Sequence, residues 1–461
     1  MKRLRWMRVV GSLALLLVAL VAESAEPPNF IVILGEAQGW TSASVSMDDT
    51  LPDAKSPLAH TPNLEKLAAG GMRFANFHAA APRCTPTRAA LFTGRSPAAL
   101  HMTFVGEGNR GRESGYAPAA SPLVPAEFVS ELPAAETTLG ELLQSAGYAT
   151  AHFGKWHVGR VSPAQHGFAE SDGATNNDGP DHVENPNPKQ AFGLTERGLE
   201  FMARQAKAGK PFYLQLSHYP GRGGPDARPA TYEAVRQRAT SERDRRLVGA
   251  AAVTEDMDAT IGLVLAQLAD LHLAGRTYLF YTSDHGAIGR SANSPLASGK
   301  GTVWEGGLRV PLIARGPGIP AGACTHVAAS TVDLLPTIAA LAGLAGPLPA
   351  ALEGGSLAAV LTAAPGAKVR RPRDEFVVHV PHYDKGDQAP AAALFLGNLK
   401  LIRSFETGAV QLFDLALDLG ERRDLAPSRP REAADLDQQL SDYLATVKAR
   451  LPTRNLPAPP N

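Results

Sequence analysis

Thr277-Tyr278-Leu279-Phe280-Tyr281-Thr282-Ser283-Asp284-His285-Gly286 reads as a buried strand that runs directly into two side chains able to bind a cation or move a proton, then halts at a glycine. An unbroken run of β-branched, aromatic and aliphatic residues suits a strand covered on both faces, as in a parallel sheet. Three other runs share this form: Phe30 to Leu34, Tyr148 to Phe153 and Phe212 to Ser217. Each is followed by chemically capable groups, Glu36 after the first, Lys155 and His157 after the second, His218 after the third. Helical stretches separate them at Pro62 to Ala69, Thr137 to Ala146, Leu194 to Ala206 and about Ser241 to His272. This alternation implies an α/β fold with a large, mostly parallel sheet flanked by helices. In such sheets ligands gather outside the carboxyl ends of the strands, so the four polar clusters should share one edge and one pocket.

After about Pro365 the pattern changes. Phe376 to Val380, Leu399 to Ser404 and Val410 to Asp414 read as short strands, and a final helix spans about Arg431 to Arg450. The expected organisation is a leader over 1–25, a catalytic domain over 26–370 and a smaller C-terminal subdomain with a short antiparallel sheet over 371–461. Loops rich in Gly, Pro, Asn and Asp run from Val105 to Pro133, Asp172 to Lys189 and Pro220 to Pro229. Their length points to substrate binding, with surface insertion as the alternative.

With 44% hydrophobic and 20% charged residues over 461 positions, the chain is neither disordered nor fibrous in composition. Its 45 basic and 45 acidic residues create no global field for nucleic acid or anionic membrane, so selectivity must reside in a local site. A basic start, Met1 to Arg8, precedes the apolar run Val9 to Ala22 and the small residues Ala22, Ser24 and Ala25. That is a signal-peptide pattern, with cleavage near 22–25 and a periplasmic or secreted mature chain without stable membrane insertion; an uncleaved anchor is the alternative. The two cysteines, Cys84 and Cys324, would pair by default in an exported chain, unless Cys84 is consumed by another chemistry and Cys324 remains as a small apolar residue.

Cys84 stands just ahead of Pro86, a residue suited to the first turn of a helix, and helix formers follow. A nucleophile there would sit among free amide donors that favour an anion. The run Cys84-Thr85-Pro86-Thr87-Arg88, followed by Ala89-Ala90-Leu91-Phe92-Thr93-Gly94, resembles the signature of type I sulfatases, members of the alkaline phosphatase-like superfamily. Gly154-Lys155-Trp156-His157-Val158-Gly159 resembles that family's second signature, and further matching stretches extend from Pro28-Asn29-Phe30 to Gln411-Leu412-Phe413-Asp414-Leu415. The resemblance implies that a maturation enzyme oxidises Cys84 to formylglycine. In the hydrate of that aldehyde, one hydroxyl attacks sulfur and the other drives sulfate release, which divides one hydrolysis into two easier steps.

By the same resemblance Arg88 holds the formylglycine side chain, Lys155 neutralises sulfate oxygens and His157 assists collapse of the hydrate. His218 and Lys300, the latter in Gly299-Lys300-Gly301-Thr302-Val303-Trp304-Glu305-Gly306-Gly307, would contact sulfate and the departing alcohol oxygen. A divalent metal would be held by Glu36, Asp284, His285 and the side chain built from Cys84. Two departures mark this site. His285 stands where relatives commonly carry Asn, and Glu36-Ala37 replaces a pair of adjacent aspartates, so one expected oxygen is missing. Gln38, Asp48, Asp49 or water would have to fill it. Calcium is the first choice of ion, with Mg2+, Mn2+ and Zn2+ left open by the imidazole. The implied activity is hydrolysis of sulfate esters, on an extracellular carbohydrate if the chain is exported. A phosphate mono- or diesterase and a silent binder of sulfated glycans are the competing readings.

Overall fold

The computed structural model describes residues 26–105, 121–177, 191–221, 226–384 and 389–455. The leader, and parts of the three long loops (106–120, 178–190 and 222–225), lie outside the described residues.

The four apolar runs form the strands Asn29–Gly35, Ala149–Gly154, Phe212–Ser217 and Thr277–Ser283. They belong to an eight-stranded sheet in the order Ala323–Thr325, Met72–Phe74, Leu312–Arg315, Thr277–Ser283, Asn29–Gly35, Phe212–Ser217, Ala149–Gly154, Glu170–Ser171. Only Leu312–Arg315 runs against its neighbours; every other pairing in this sheet is parallel. The sheet is therefore mostly parallel, as its unalternating strands imply.

Successive side chains of the first strand enter opposite cores. Phe30, Val32 and Leu34 pack with Tyr213, Phe280 and Leu312 on one face, where the helices Cys84–Thr93, Leu139–Ser145 and Leu334–Leu341 add Phe92, Leu143 and Ile338. Ile31 and Ile33 pack with Leu214, Leu216 and Leu279 on the other, under Pro62–Ala69, Ala191–Ala208 and Glu242–Asp270. The last of these begins at a capping box, the Ser241 hydroxyl accepting from the Asp244 amide while Asp244 reaches back to the Ser241 amide.

Towards the C-terminus a second, antiparallel sheet takes the order Phe376–Val380, Ala391–Leu396, Leu399–Ser404, Val410–Asp414. One face carries Val377, Leu394, Leu401 and Leu412 against Leu436, Leu440 and Leu444 of the helix Pro430–Thr446. The opposite face, with Phe376, Val378, Phe395 and Phe413, packs on Val303 and Leu308 of the large unit. Strand Ala391–Leu396 was not legible in the sequence: its start, Ala391-Ala392-Ala393, lacks the β-branched residues that mark its neighbours.

Candidate active site

The strand register brings the polar clusters to one edge. Leu34 pairs with Ser217 and Thr282, and Gly154 with Ser217, so Glu36, Lys155, His218 and Asp284 leave the sheet side by side. Backbone bonds continue past the strand ends, from His218 N to Leu34 O at 2.9 Å, from Lys155 N to Ser217 O at 2.8 Å and from Asp284 N to Gly35 O at 3.2 Å. Gly154 makes this convergence feasible: it adopts φ +97°, and a Cβ there would lie 2.0 Å from Ser217 O.

Over this edge stands the helix Cys84–Thr93, entered through Arg83 in extended conformation and buried along its length. No acidic residue occupies its first turn, so its amide donors face the site uncompensated. Cys84 Sγ lies 3.3 Å from Glu36 Oε1, 3.4 Å from His285 Nε2 and 3.9 Å from Lys300 Nζ. Arg88, one helical turn on, is fully buried and bonds Glu36 Oε2 and Asp284 Oδ2, each at 3.1 Å, and Lys155 O at 2.6 Å. Lys155 Nζ reaches Glu36 Oε2 at 2.8 Å, and Lys300 Nζ reaches Glu36 Oε1 at 3.5 Å. His157 Nδ1 is 3.4 Å from the Thr85 hydroxyl, and His218 presents a buried, unpartnered Nε2 in a small cavity that Glu36 also lines.

Three permanent cations, Arg88, Lys155 and Lys300, and the His285 ring thus meet two carboxylates and a thiol with almost no solvent. Burial alone would raise Glu36, but Lys155 and Lys300 hold it well below the usual carboxylate range. Burial and Glu36 would raise the Cys84 thiol, yet Lys155, Lys300 and His285 hold it well below its ordinary value. Asp284 is pushed up to about 6 by burial and the neighbouring Glu36 charge. His218 falls to about 4 through burial, with Arg88 adding to the shift, and is neutral at pH 7. A site built this way stabilises negative charge in place of water.

Glu36, Cys84, Asp284 and His285 each offer one donor atom, all within 4.8 Å of one another. His285 Nδ1 donates to Gly286 O at 3.0 Å, which turns Nε2 toward the other donors; burial would lower the ring but the Asp284 charge raises it to about 9, so a cation would bind there in place of the Nε2 proton. The set fits a divalent cation. The three side-chain candidates for the missing oxygen do not join it. Gln38 is turned away, its Oε1 accepting from Thr254 at 2.8 Å; Asp48 bonds Thr50, and Asp49 pairs with Arg73. At position 37 the backbone amide donates to Asp284 Oδ1 at 3.2 Å, with Ala37 at φ +55°. The expected default disulfide is likewise absent: both cysteines are free, and Cys324 sits in the edge strand Ala323–Thr325.

A family model described as Sulfatase matches residues 28–344. The chain belongs to the sulfatase family. It is 35% identical over 372 residues to N-acetylgalactosamine-6-sulfatase of Sus scrofa, an alignment covering 72% of this chain and 66%, just under two thirds, of that relative's length. With arylsulfatase A of Homo sapiens it shares 32% identity over 403 residues, covering 76% of this chain and 71% of the other. Among solved structures, a chain crystallised with a neocarrahexaose matches with TM-score 0.73 and 22% identity, covering 91% of this sulfatase-family chain and 93% of that one. A sulfatase from Pseudoalteromonas sp. matches with TM-score 0.70 and 22% identity, covering 93% and 92%. These last likenesses establish the fold.

In this sulfatase-family chain Glu36, Cys84, Arg88, Lys155, His157, His218, Asp284, His285 and Lys300 all lie at or beside one strand edge, whereas Asp48 and Asp49 lie away from it. What the sequence concealed is the support beneath them. Arg83, next to Cys84, pairs with Asp384, and Glu305, just past Lys300, is bonded by Lys400 at 2.9 Å. Asp384 and Lys400 come from the C-terminal region, too far along the chain for any local motif to reveal them.

Proposed function

We propose that the chain is an exported sulfatase that hydrolyses sulfate esters of an extracellular carbohydrate, with a catalytic unit over 26–370, a C-terminal subdomain over 371–461 and its leader removed near residues 22–25. The observation that carries the reading is the placement of Cys84: a buried helix start, 3.9 Å from Lys300 Nζ, over an edge lined by Arg88, Lys155 and His285. Sγ marks where the hydroxyl oxygens of a hydrated formylglycine would stand. One hydroxyl would be the nucleophile, and deprotonation of the other would return the aldehyde and expel sulfate.

The remaining side chains divide the work. Lys300, the most exposed of the cations at 17%, meets incoming sulfate and the leaving oxygen. Lys155 and Arg88, tied to Glu36, supply fixed positive charge with no reorganisation during reaction. Neutral His218 accepts or donates a hydrogen bond through its open Nε2, and His157, beside Thr85, assists the proton transfer of collapse. A divalent ion held by Glu36, Asp284, His285 and residue 84 would supply Lewis acidity towards sulfate and the attacking hydroxyl. Calcium would need water to complete its oxygen shell, and the imidazole nitrogen also admits zinc or manganese.

Parallel turnover of 4-nitrophenyl sulfate and 4-nitrophenyl phosphate by protein from its native host tests the proposal. Sulfate hydrolysis should dominate; faster phosphate turnover would replace the sulfatase reading with an esterase of phosphate, and silence on every ester would leave a glycan-binding protein.

A further inference from the structure

Lys300 opens on a second space. A cavity of about 630 Å³ lies between the loop after Asp284, with Ile288, Arg290 and Trp304, and the turn Gly420-Glu421-Arg422 of the C-terminal subdomain. Its size suits more than one sugar ring. Of the charged residues lining it, Glu421 is committed elsewhere: its two oxygens accept from Lys400 Nζ and from the Glu305 amide, each at 2.7 Å. The guanidinium groups of Arg290 and Arg422 have no carboxylate partner among the described residues, and both side chains are exposed. With Lys300 they make the lining cationic in a protein of zero net charge. Half-buried Trp304 is braced by Phe413, ring centres 5.8 Å apart, and Ile288 is 63% exposed beside it. A braced indole offers a face to the C–H side of a sugar, while planar guanidinium forks match carboxylate or sulfate.

We infer that this cavity is a leaving-group subsite for a polyanionic glycan, Arg290 and Arg422 binding a second sulfate or a carboxylate on the sugar chain beyond the ester held at Lys300. The inference rests on the sulfatase reading for which sugar end enters first, but its charge preference is separable from turnover.

The test is calorimetric titration of the full-length Cys84→Ala protein with two synthetic disaccharides, one bearing a single ester sulfate and the other the same ester plus a carboxylate or sulfate on the neighbouring sugar. The second anion should tighten binding about tenfold at low salt, equivalent to about 1.4 kcal/mol. That advantage should shrink as salt is raised and vanish in the Arg290→Gln, Arg422→Gln double variant, with partial recovery in the Arg→Lys pair. Equal affinity for the two disaccharides, no binding of the dianionic one, or an advantage that survives the double substitution would overturn the subsite. Turnover of 4-nitrophenyl sulfate reports separately: its absence alongside an intact charge preference would sink the sulfatase reading and leave the anion subsite standing.

Discussion

At the scale of single residues, Cys84 illustrates how position changes chemistry. A lone buried cysteine is ordinarily inert packing, whereas here four positive groups, Arg88, Lys155, His285 and Lys300, surround it and its thiol is held well below the ordinary value. Cys84→Ala should lower sulfate-ester turnover to background while the thermal midpoint moves little; retained turnover would refute the nucleophile. The metal side is equally open to measurement. Replacing Ala37 by Asp adds the absent oxygen donor and should tighten calcium binding at least about tenfold, a gain of about 1.4 kcal/mol, in titrations of metal-stripped protein. His285→Asn, which exchanges nitrogen for oxygen, should weaken zinc far more than calcium. Unchanged affinities in both would show that these positions do not face the ion. Cys84, Arg88, Lys155 and Lys300 were readable because each sits in a short local pattern. The fate of Gln38, Asp48 and Asp49 was not, because Thr254, Thr50 and Arg73 compete for them and only Thr50 is close in sequence.

Among the elements, the four central strands of the large sheet, unlike the short strands Met72–Phe74, Leu312–Arg315, Ala323–Thr325 and Glu170–Ser171 of two to four residues each, were legible because apolar runs with polar ends have no other stable place than a covered sheet. The supports of the Lys300 loop were not. Gly286 lets that loop close over the strand end: a Cβ there would lie 1.8 Å from Gly306 O, backbone that cannot step aside. Below it, Lys400 bridges Glu305 at 2.9 Å and Glu421 at 2.7 Å, all three buried, with His78 and Arg309 also bonded to Glu305. Lys400→Met would leave two carboxylates sharing a dry space. The expected cost is about 3–5 kcal/mol in denaturant unfolding, together with a lower kcat from a displaced Lys300. A loss under 1 kcal/mol would mean that water already reaches this bridge.

For the whole molecule, buried histidines set the response to acid. His152 has no partner for either ring nitrogen and packs against Phe92, Trp156 and Phe168. Burial, aided by Arg88, lowers it from 6.5 to about 3. The unfolded chain therefore takes up this proton below pH 6.5 while the native protein refuses it until about 3, so stability is full above 6.5 and drains away through that window. His78, His379 and His382, lowered to about 4, about 4 and about 3, act in the same sense; Asp284, raised to about 6, and Glu421, raised to about 7, oppose them. Between pH 7 and pH 5 His152 alone should cost about 2 kcal/mol, and His152→Phe should remove that slope from the unfolding free energy. An identical pH slope in the variant would mean that His152 is protonated in the fold.

The central claim concerns one side chain, and the mass of the proteolytic peptide that contains Cys84, from protein made in its native host, tests it most directly. Conversion of CH2–SH to CHO exchanges sulfur for oxygen and removes hydrogen, so the peptide should be lighter than its encoded sequence and should react with a carbonyl reagent. A peptide with the encoded mass, carrying a thiol that alkylates in full, would contradict the account.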